Sequence, residues 1–165
     1  MIAPATETPQ APRVCLPREL LSSTVFLLGR VGYAAKARAM EEFEEIGFSP
    51  YHYGVLTVLE ESPRQTQAEI ADALHVDRSQ LVGLLDTLEE RGLIERQRDS
   101  ADRRRHVVRL TADGTTQLCG LREITRRIEE EFLEPLAPEE RKALHELLLR
   151  VATHRDARFA PDAPS

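Results

Sequence analysis

Residues 66–111 read TQAEIADALHVDRSQLVGLLDTLEERGLIERQRDSADRRRHVVRLT, and the fold is decided inside this stretch. Thr66-Gln67-Ala68-Glu69 has the form of a capping box, in which the hydroxyl accepts from the third helical amide and the carboxylate reaches back to the cap's own amide. It predicts a short helix with Ile70, Leu74 and Ala71 turned inward. Asp77-Arg78-Ser79-Gln80 repeats that logic for the next helix, with an inner stripe of Leu81, Leu84, Leu85 and Leu88 and a stop at Gly92. The face opposite the leucines presents Ser79, Gly83 and Asp86, flanked by Gln80, Val82 and Thr87. The period then changes. Residues 93–96 and 106–110 are short and β-prone, and the polar run 97–105 between them predicts a two-stranded hairpin with an arginine-rich tip.

Outward from this centre the chain reads as helix. Pro17 suits a first helical position, and Leu20, Leu21, Thr24, Leu27, Leu28, Val31 and Ala35 recur at helical spacing, which predicts one continuous helix ending at Gly47. Ser49-Pro50 reads as an N-cap followed by proline in the first turn, with Phe48 placed to staple onto Tyr53. Val55, Leu56, Val58 and Leu59 follow before Ser62-Pro63 breaks the helix. Downstream, Thr111 caps a long helix with Leu118, Leu121, Ile124, Ile128 and Phe132 on one stripe. Pro135 interrupts it, and Pro138 opens a last helix carrying Leu144, Leu147, Leu148 and Val151. The proline-bearing ends, residues 1–16 and 154–165, read as mobile tails. The fold class expected is mainly α with a small β-hairpin wing.

A chain of 165 residues fits a single domain, and 41% hydrophobic with 30% charged residues describes a core-forming polypeptide. No apolar run reaches the roughly 18 residues of a membrane span, so no membrane partner is expected. The opening Met1-Ile2-Ala3-Pro4-Ala5-Thr6-Glu7 lacks a basic start and an apolar stretch, so no secretory leader is expected and a cytoplasmic location is. Cys15 and Cys119 are too few for a disulfide scaffold. Twenty arginines against two lysines suggest a GC-rich bacterial source.

The net charge of −6 excludes a generally polycationic nucleic-acid packer, but its distribution is uneven. Residues 91–109 hold seven arginines against Glu95, Asp99 and Asp102, a net +4, which leaves −10 for the other 146 residues. Two short helices, a turn and a basic hairpin are the order of a winged helix-turn-helix. The second helix, leucine-lined on one face and small or polar on the other, suits the major groove, and Gly83 removes a side chain where close approach is needed, at a cost of about 1 kcal/mol in helix propensity. Arg98, Arg103, Arg104 and Arg105 supply phosphate neutralisation and could place a guanidinium in a narrow minor groove.

Asp102-Arg103-Arg104, five residues, then Leu110-Thr111 resembles the D-x-R-x5-L-T wing signature of the MarR family of bacterial transcriptional regulators. Gln67-Ala68-Glu69-Ile70-Ala71, residues 81–88, Glu89-Glu90-Arg91-Gly92-Leu93-Ile94 and Leu110-Thr111-Ala112-Asp113-Gly114 also resemble family sequence in family order, so the likeness runs over about residues 17–153. Two departures stand out: Ser100 occupies a wing position where many relatives have proline, and Ala137 replaces the usual serine cap, a local loss of about 1 kcal/mol if nothing compensates. The resemblance implies a homodimer on a double-stranded, pseudo-palindromic operator, with 17–48 and 111–153 forming a helical dimerisation region and 49–110 a DNA-binding lobe. It implies that Arg104 enters the minor groove with Asp102 orienting it, that Ser79, Gln80 and Gly83 lie near bases, and that Gln67, Arg78, Arg98, Arg103 and Arg105 meet phosphates. The competing reading is an ordinary solvated helix face and surface ion pairs, worth about 0–1 kcal/mol each.

Relatives often bind small anionic or phenolic aromatic effectors between the dimerisation helices and the lobe. Phe26, Arg30 and Tyr33 on one helix face, with Tyr51, His52 and Tyr53 at the next helix start, are the ligand candidates, against ordinary packing and capping roles. The cysteine of the family's hydroperoxide sensors is absent, since Val25-Phe26 stands there. Its urate-responsive branch carries a tryptophan in the first helix, and this chain has none. His52, His75, His106, His145 and His154 form no metal-ligand pair in sequence, and no catalytic triad, phosphate loop or HExxH motif is present, so neither metal, cofactor nor enzyme activity is expected. The reading is a repressor released by an effector; a constitutive DNA binder without ligand, or a winged-helix protein-interaction module, is the alternative.

Overall fold

The computed structural model describes residues 15–63, 65–98 and 106–160. Its elements are α1 (Arg18–Leu21), α2 (Thr24–Glu45), α3 (Pro50–Glu61), β1 (Gln65–Thr66), α4 (Gln67–Leu74), α5 (Arg78–Glu90), β2 (Ile94–Arg98), β3 (His106–Leu110), α6 (Ala112–Phe132) and α7 (Pro138–Arg155), followed by a 3-10 turn, Ala157–Phe159. The chain divides into two compact units, residues 1–34 and 35–165. The first holds α1 and the start of α2. The second holds everything that follows. Among the described residues no helix is long and apolar enough to cross a membrane.

Helix boundaries fall where the caps require. Ser49 accepts from the His52 amide with Pro50 at the first turn, Thr66 and Glu69 form the reciprocal box, and Asp77 accepts from the Gln80 amide at 2.8 Å. Gly92 follows α5 at φ +70, a left-handed conformation that glycine takes without steric cost. At Ala137 there is no side-chain cap, but Glu140 accepts from the Ala137 amide at 2.8 Å, which supplies one half of what a serine box would.

Two expectations need correction. The single helix predicted from Pro17 to Gly47 is broken at Ser22-Ser23, because the Ser23 hydroxyl accepts from the Phe26 amide at 3.3 Å and so starts a new helix. The hairpin is one edge of a three-stranded antiparallel sheet in the order β1-β3-β2. Gln65 pairs with Val108 and Thr66 with Val107 on one side of β3, while Ile94 to Arg98 pair with Leu110 to His106 on the other. A two-residue strand has no alternation of its own to read; it exists only because β3 offers a free edge. The Phe48 ring meets that of His52 edge-on at 5.9 Å, and the Tyr53 ring meets Phe43 at 6.0 Å.

The core of the second unit joins Phe43, Val55, Leu56, Leu59, Ile70, Leu81, Leu85, Leu88, Ile94, Val108, Leu118 and Leu121. Each such side chain contributes about 1.5–3 kcal/mol on burial. Among the described residues Glu42 is the buried charged residue there, held by Arg127 and Arg38; hydrogen bonding from Arg127 keeps its carboxyl below the usual range. Arg122 donates to Glu60 at 3.2 Å and ties α6 to α3.

The hairpin is fixed to α6 through Thr111. Its amide donates to the Leu93 carbonyl at 3.1 Å, its hydroxyl donates to the Gly92 carbonyl at 2.8 Å, and the same oxygen accepts from the Gly114 amide at 3.0 Å. That closure brings Gly114 against the hairpin so tightly that a Cβ would lie 2.0 Å from the Leu93 carbonyl oxygen and 2.8 Å from Leu110 Cδ1. Gly114→Ala is therefore expected to destabilise the fold by about 2 kcal/mol or more despite alanine's better helix propensity, read as a lowered urea midpoint.

Candidate nucleic-acid interface

Helix α5 has two unlike faces. Leu81, Leu85 and Leu88 are buried, while Arg78, Ser79, Gln80, Val82 and Gly83 are exposed. Nothing lies within 4 Å of a Cβ built on Gly83, so no contact within the described residues explains a glycine at that point. The Ser79 hydroxyl donates to Asp77 Oδ1, and together with the Gln80 amide it holds the Asp77 carboxyl below its ordinary range. Asp77 thus occupies the N-terminal amides of α5, and Arg78 carries the positive charge of that end.

Gln67, half-buried at the start of α4, and Arg78, at the start of α5, line one open depression of about 450 Å³ with Thr66, Ala68, Leu81 and His106. Two helix N-termini and a strand end therefore converge there. Arg98 is exposed at the end of β2, paired in register with His106. Arg109 is exposed on β3. Asp102, Arg103, Arg104 and Arg105, with Ser100, lie outside the described residues.

Two arginines that sequence reasoning passed over hold α5 in place. Arg96 of β2 donates to Asp86 at 2.6 Å and pairs with Glu89 at 2.9 Å, while its own amide donates to Glu89 at 3.3 Å. Asp86, read from sequence as part of the exposed face, is thereby an anchor for the hairpin. Arg91 donates to the Gly47 carbonyl at 2.7 Å and lies 4.4 Å over the Phe48 ring, fastening the end of α5 to the turn before α3. The i, i+10 spacing of Asp86 and Arg96 is neither a helix nor a strand period, so only the strand's return along the helix brings them together.

The ligand candidates fall into both units. Phe26 is half-buried, and Arg30 and Tyr33 are exposed, in the first; Tyr51, His52 and Tyr53, all half-buried, belong to the second. His52 has a structural task. The Ser49 amide donates to its Nδ1 at 3.0 Å, so that nitrogen is unprotonated, and Nε2 is buried without a partner among the described residues. Burial, then the nearby Arg91 charge, lowers the His52 pKa. Among the described residues no group of three or more His, Cys, Asp and Glu could hold a metal ion.

A helix pair joined by a tight turn, with a β-hairpin that follows the second helix and a third strand at its edge, defines a winged helix-turn-helix protein. The model of the MarR family matches residues 46–105. Over 105 residues, 64% of the chain, it is 36% identical to a putative transcriptional regulatory protein for the hcr operon of Thauera aromatica, and that match spans 63% of the relative's length. The solved transcriptional repressor CouR bound to a 23-mer DNA duplex is 31% identical, with a TM-score of 0.72 over 81% of this chain and 95% of that one. CouR from Rhodococcus jostii RHA1 bound to p-coumaroyl-CoA is 25% identical, with a TM-score of 0.70 over 88% and 98%. The chain belongs to the MarR family; its relatives are transcriptional regulators, not enzymes.

Protonating His52 would remove the acceptor of the Ser49 amide. Because its folded pKa is lowered, it stabilises the fold fully above its unfolded value, and that contribution declines as pH falls through about 6.5. Wild type is expected to lose more stability than His52→Asn between pH 7.5 and 5, measured by urea unfolding at each pH; equal losses would remove His52 from the capping role.

Proposed function

We propose that the chain is a sequence-specific, homodimeric DNA-binding repressor that leaves a pseudo-palindromic operator when a small effector binds. The observation that carries this is α5: one face is locked into the core by leucines, and the other is exposed, small and polar, with an unobstructed glycine at its middle. Such a face can lie against base edges in a major groove, with Ser79, Gln80 and Gly83 nearest the bases and Gln67, Arg78 and Arg98 toward phosphates. The segment Asp102-Arg103-Arg104-Arg105 carries the greatest local density of positive charge in the sequence, and we assign Arg104 to the minor groove. The DNA-bound repressor among the similar structures supports this reading.

In this proposal residues 49–110 form the DNA-binding lobe and 17–48 with 111–153 the dimerisation region. Support for a second copy comes from each unit taken alone. In the first, Leu20, Leu21, Leu27, Leu28 and Val31 are exposed. In the second, α7 buries no residue and exposes Leu147, Leu148, Leu149 and Val151. Apolar surface of this extent marks an interaction site. Two lobes so joined would meet half-sites about 34 Å apart.

For the effector, the aromatic thioester held by the similar CouR favours an anionic or phenolic aromatic, with Arg30 as the charge partner and Phe26, Tyr33, Tyr51, His52 and Tyr53 as further candidates. Release requires only that the ligand prefer a lobe spacing that cannot match both half-sites. The protein acts, in this reading, in the cytoplasm.

Selection from a random duplex pool is expected to recover a palindromic sequence, and recovery of none would remove the DNA reading. On that duplex, Arg104→Ala is expected to weaken binding and flatten the dependence of log affinity on log salt by about one unit. Gly83→Ala is expected to raise stability by about 1 kcal/mol while weakening binding, a pairing that an ordinary exposed helix position would not give. Leu148→Glu is expected to shift the sedimenting species from dimer to monomer.

A further inference from the structure

The chain does not end its structure with α7. Residues 154–160, which the sequence reads as the start of a tail, hold the last two residues of that helix and the 3-10 turn Ala157–Phe159. Asp156 caps this turn by accepting from the Arg158 amide at 3.0 Å, and the Thr153 hydroxyl donates to the Phe159 carbonyl at 3.1 Å. The turn is therefore built by its own side chains, and it aims Arg158 at another part of the fold.

The Arg158 guanidinium is gripped by Asp156, whose Oδ1 and Oδ2 accept from Nε at 2.9 and 3.0 Å and whose Oδ2 also accepts from Nη2. Its remaining nitrogen, Nη1, donates to the Asp72 carbonyl at 3.0 Å and to His75 Nδ1 at 3.0 Å. An arginine only donates, so His75 Nδ1 is the acceptor. Both partners sit at the C-terminal end of α4. Asp72 contributes one of the last carbonyls of that helix, and His75 is its cap, at φ +52. The Val76 amide closes the same helix end onto the Ala71 carbonyl at 3.2 Å. Asp77, the cap of α5, comes next. The contact thus falls on the turn that joins α4 to α5.

We propose that Arg158 is a positioning residue that latches the C-terminal turn of the chain onto the turn between α4 and α5 and so sets the orientation of α5. A cation at a helix C-terminus is favourable to the helix dipole and satisfies a carbonyl that the helix cannot. Arg158, oriented by Asp156, supplies both; hydrogen bonding from Arg158 holds the Asp156 carboxyl down to about 2. A non-glycine residue in the left-handed region is uncommon and persists where its surroundings hold it. The guanidinium on Nδ1 is such a restraint on His75. The latch also gives α7 a direct mechanical connection to the reading head, a route from a helix of the proposed dimerisation region to α5. Its bearing on DNA rests on the DNA-binding reading; its existence does not.

The test uses the full chain with Arg158→Ala and Arg158→Lys. Hydrogen exchange on free protein is expected to show faster exchange at the His75 and Val76 amides in Arg158→Ala, with the α6 core unchanged, and partial recovery in Arg158→Lys, which restores the charge but not the fork. On the duplex recovered by random-pool selection, at a temperature where both variants are folded, Arg158→Ala is expected to bind about 3- to 10-fold more weakly with an unchanged salt slope. Unchanged exchange at His75 and Val76 would overturn the latch. A salt slope that falls with affinity would make Arg158 a phosphate contact instead, and altered exchange with unaltered affinity would overturn its positioning of α5. If the wild type binds no duplex, the DNA reading fails while the exchange result still decides the latch.

Discussion

Everything on the exposed side of α5 depends on what is buried beneath it. Leu81, Leu85 and Leu88 are almost fully removed from solvent against α3, α4 and the sheet, and close packing leaves them little freedom to rotate or slide. A helix anchored along one stripe must present a defined opposite stripe, because successive residues turn through a fixed angle. The position of Ser79, Gln80 and Gly83 is thus a consequence of the leucines. Arg96 and Arg91 then restrain the helix along its length, one by holding the hairpin to Asp86 and Glu89, the other by holding the C-terminal end to Gly47. Thr111 and Gly114 lock the hairpin onto α6 at the same place.

Charge is arranged on this scaffold rather than spread over it. The net −6 resolves into +4 on residues 91–109 and −10 elsewhere. Asp86, Glu89 and Asp77 lie close to the proposed reading surface, but each is committed: two to Arg96, one to the N-terminus of α5. Their charge is largely offset where they stand, which leaves Arg78, Arg98 and Arg109 exposed without adding a bare acidic patch beside them. An acidic remainder of the molecule can repel phosphate and favour approach with the basic hairpin first.

The parts of this structure legible in the sequence share one property: their causes lie within four residues of each other. The box at Thr66, the one-way cap at Asp77, the Ser49-Pro50 start, the Thr111 cap and the stop at Gly92 are contacts between near neighbours, and so is the leucine stripe of α5. Local signals also compete: at Ser22-Ser23 the apolar spacing runs on through a break that a serine hydroxyl imposes. His52, a ligand candidate by sequence, also completes a capping box that would ordinarily call for glutamate or glutamine.

Propensity, capping and periodicity act between near neighbours, so most of the helix ends, the buried face of α5 and the place where positive charge collects can be read along the chain, the break at Ser22-Ser23 excepted. Tertiary packing makes Gln65-Thr66 a strand, gives Asp86 to Arg96, leaves Gly114 no room for a methyl group, and brings Arg158 to the end of α4, 86 residues away in sequence. Each of those depends on the return of a distant segment to a particular register. Pairings of that kind are settled by the closing of the core, after which a carbonyl or carboxylate finds whatever donor the packing has brought within 3 Å.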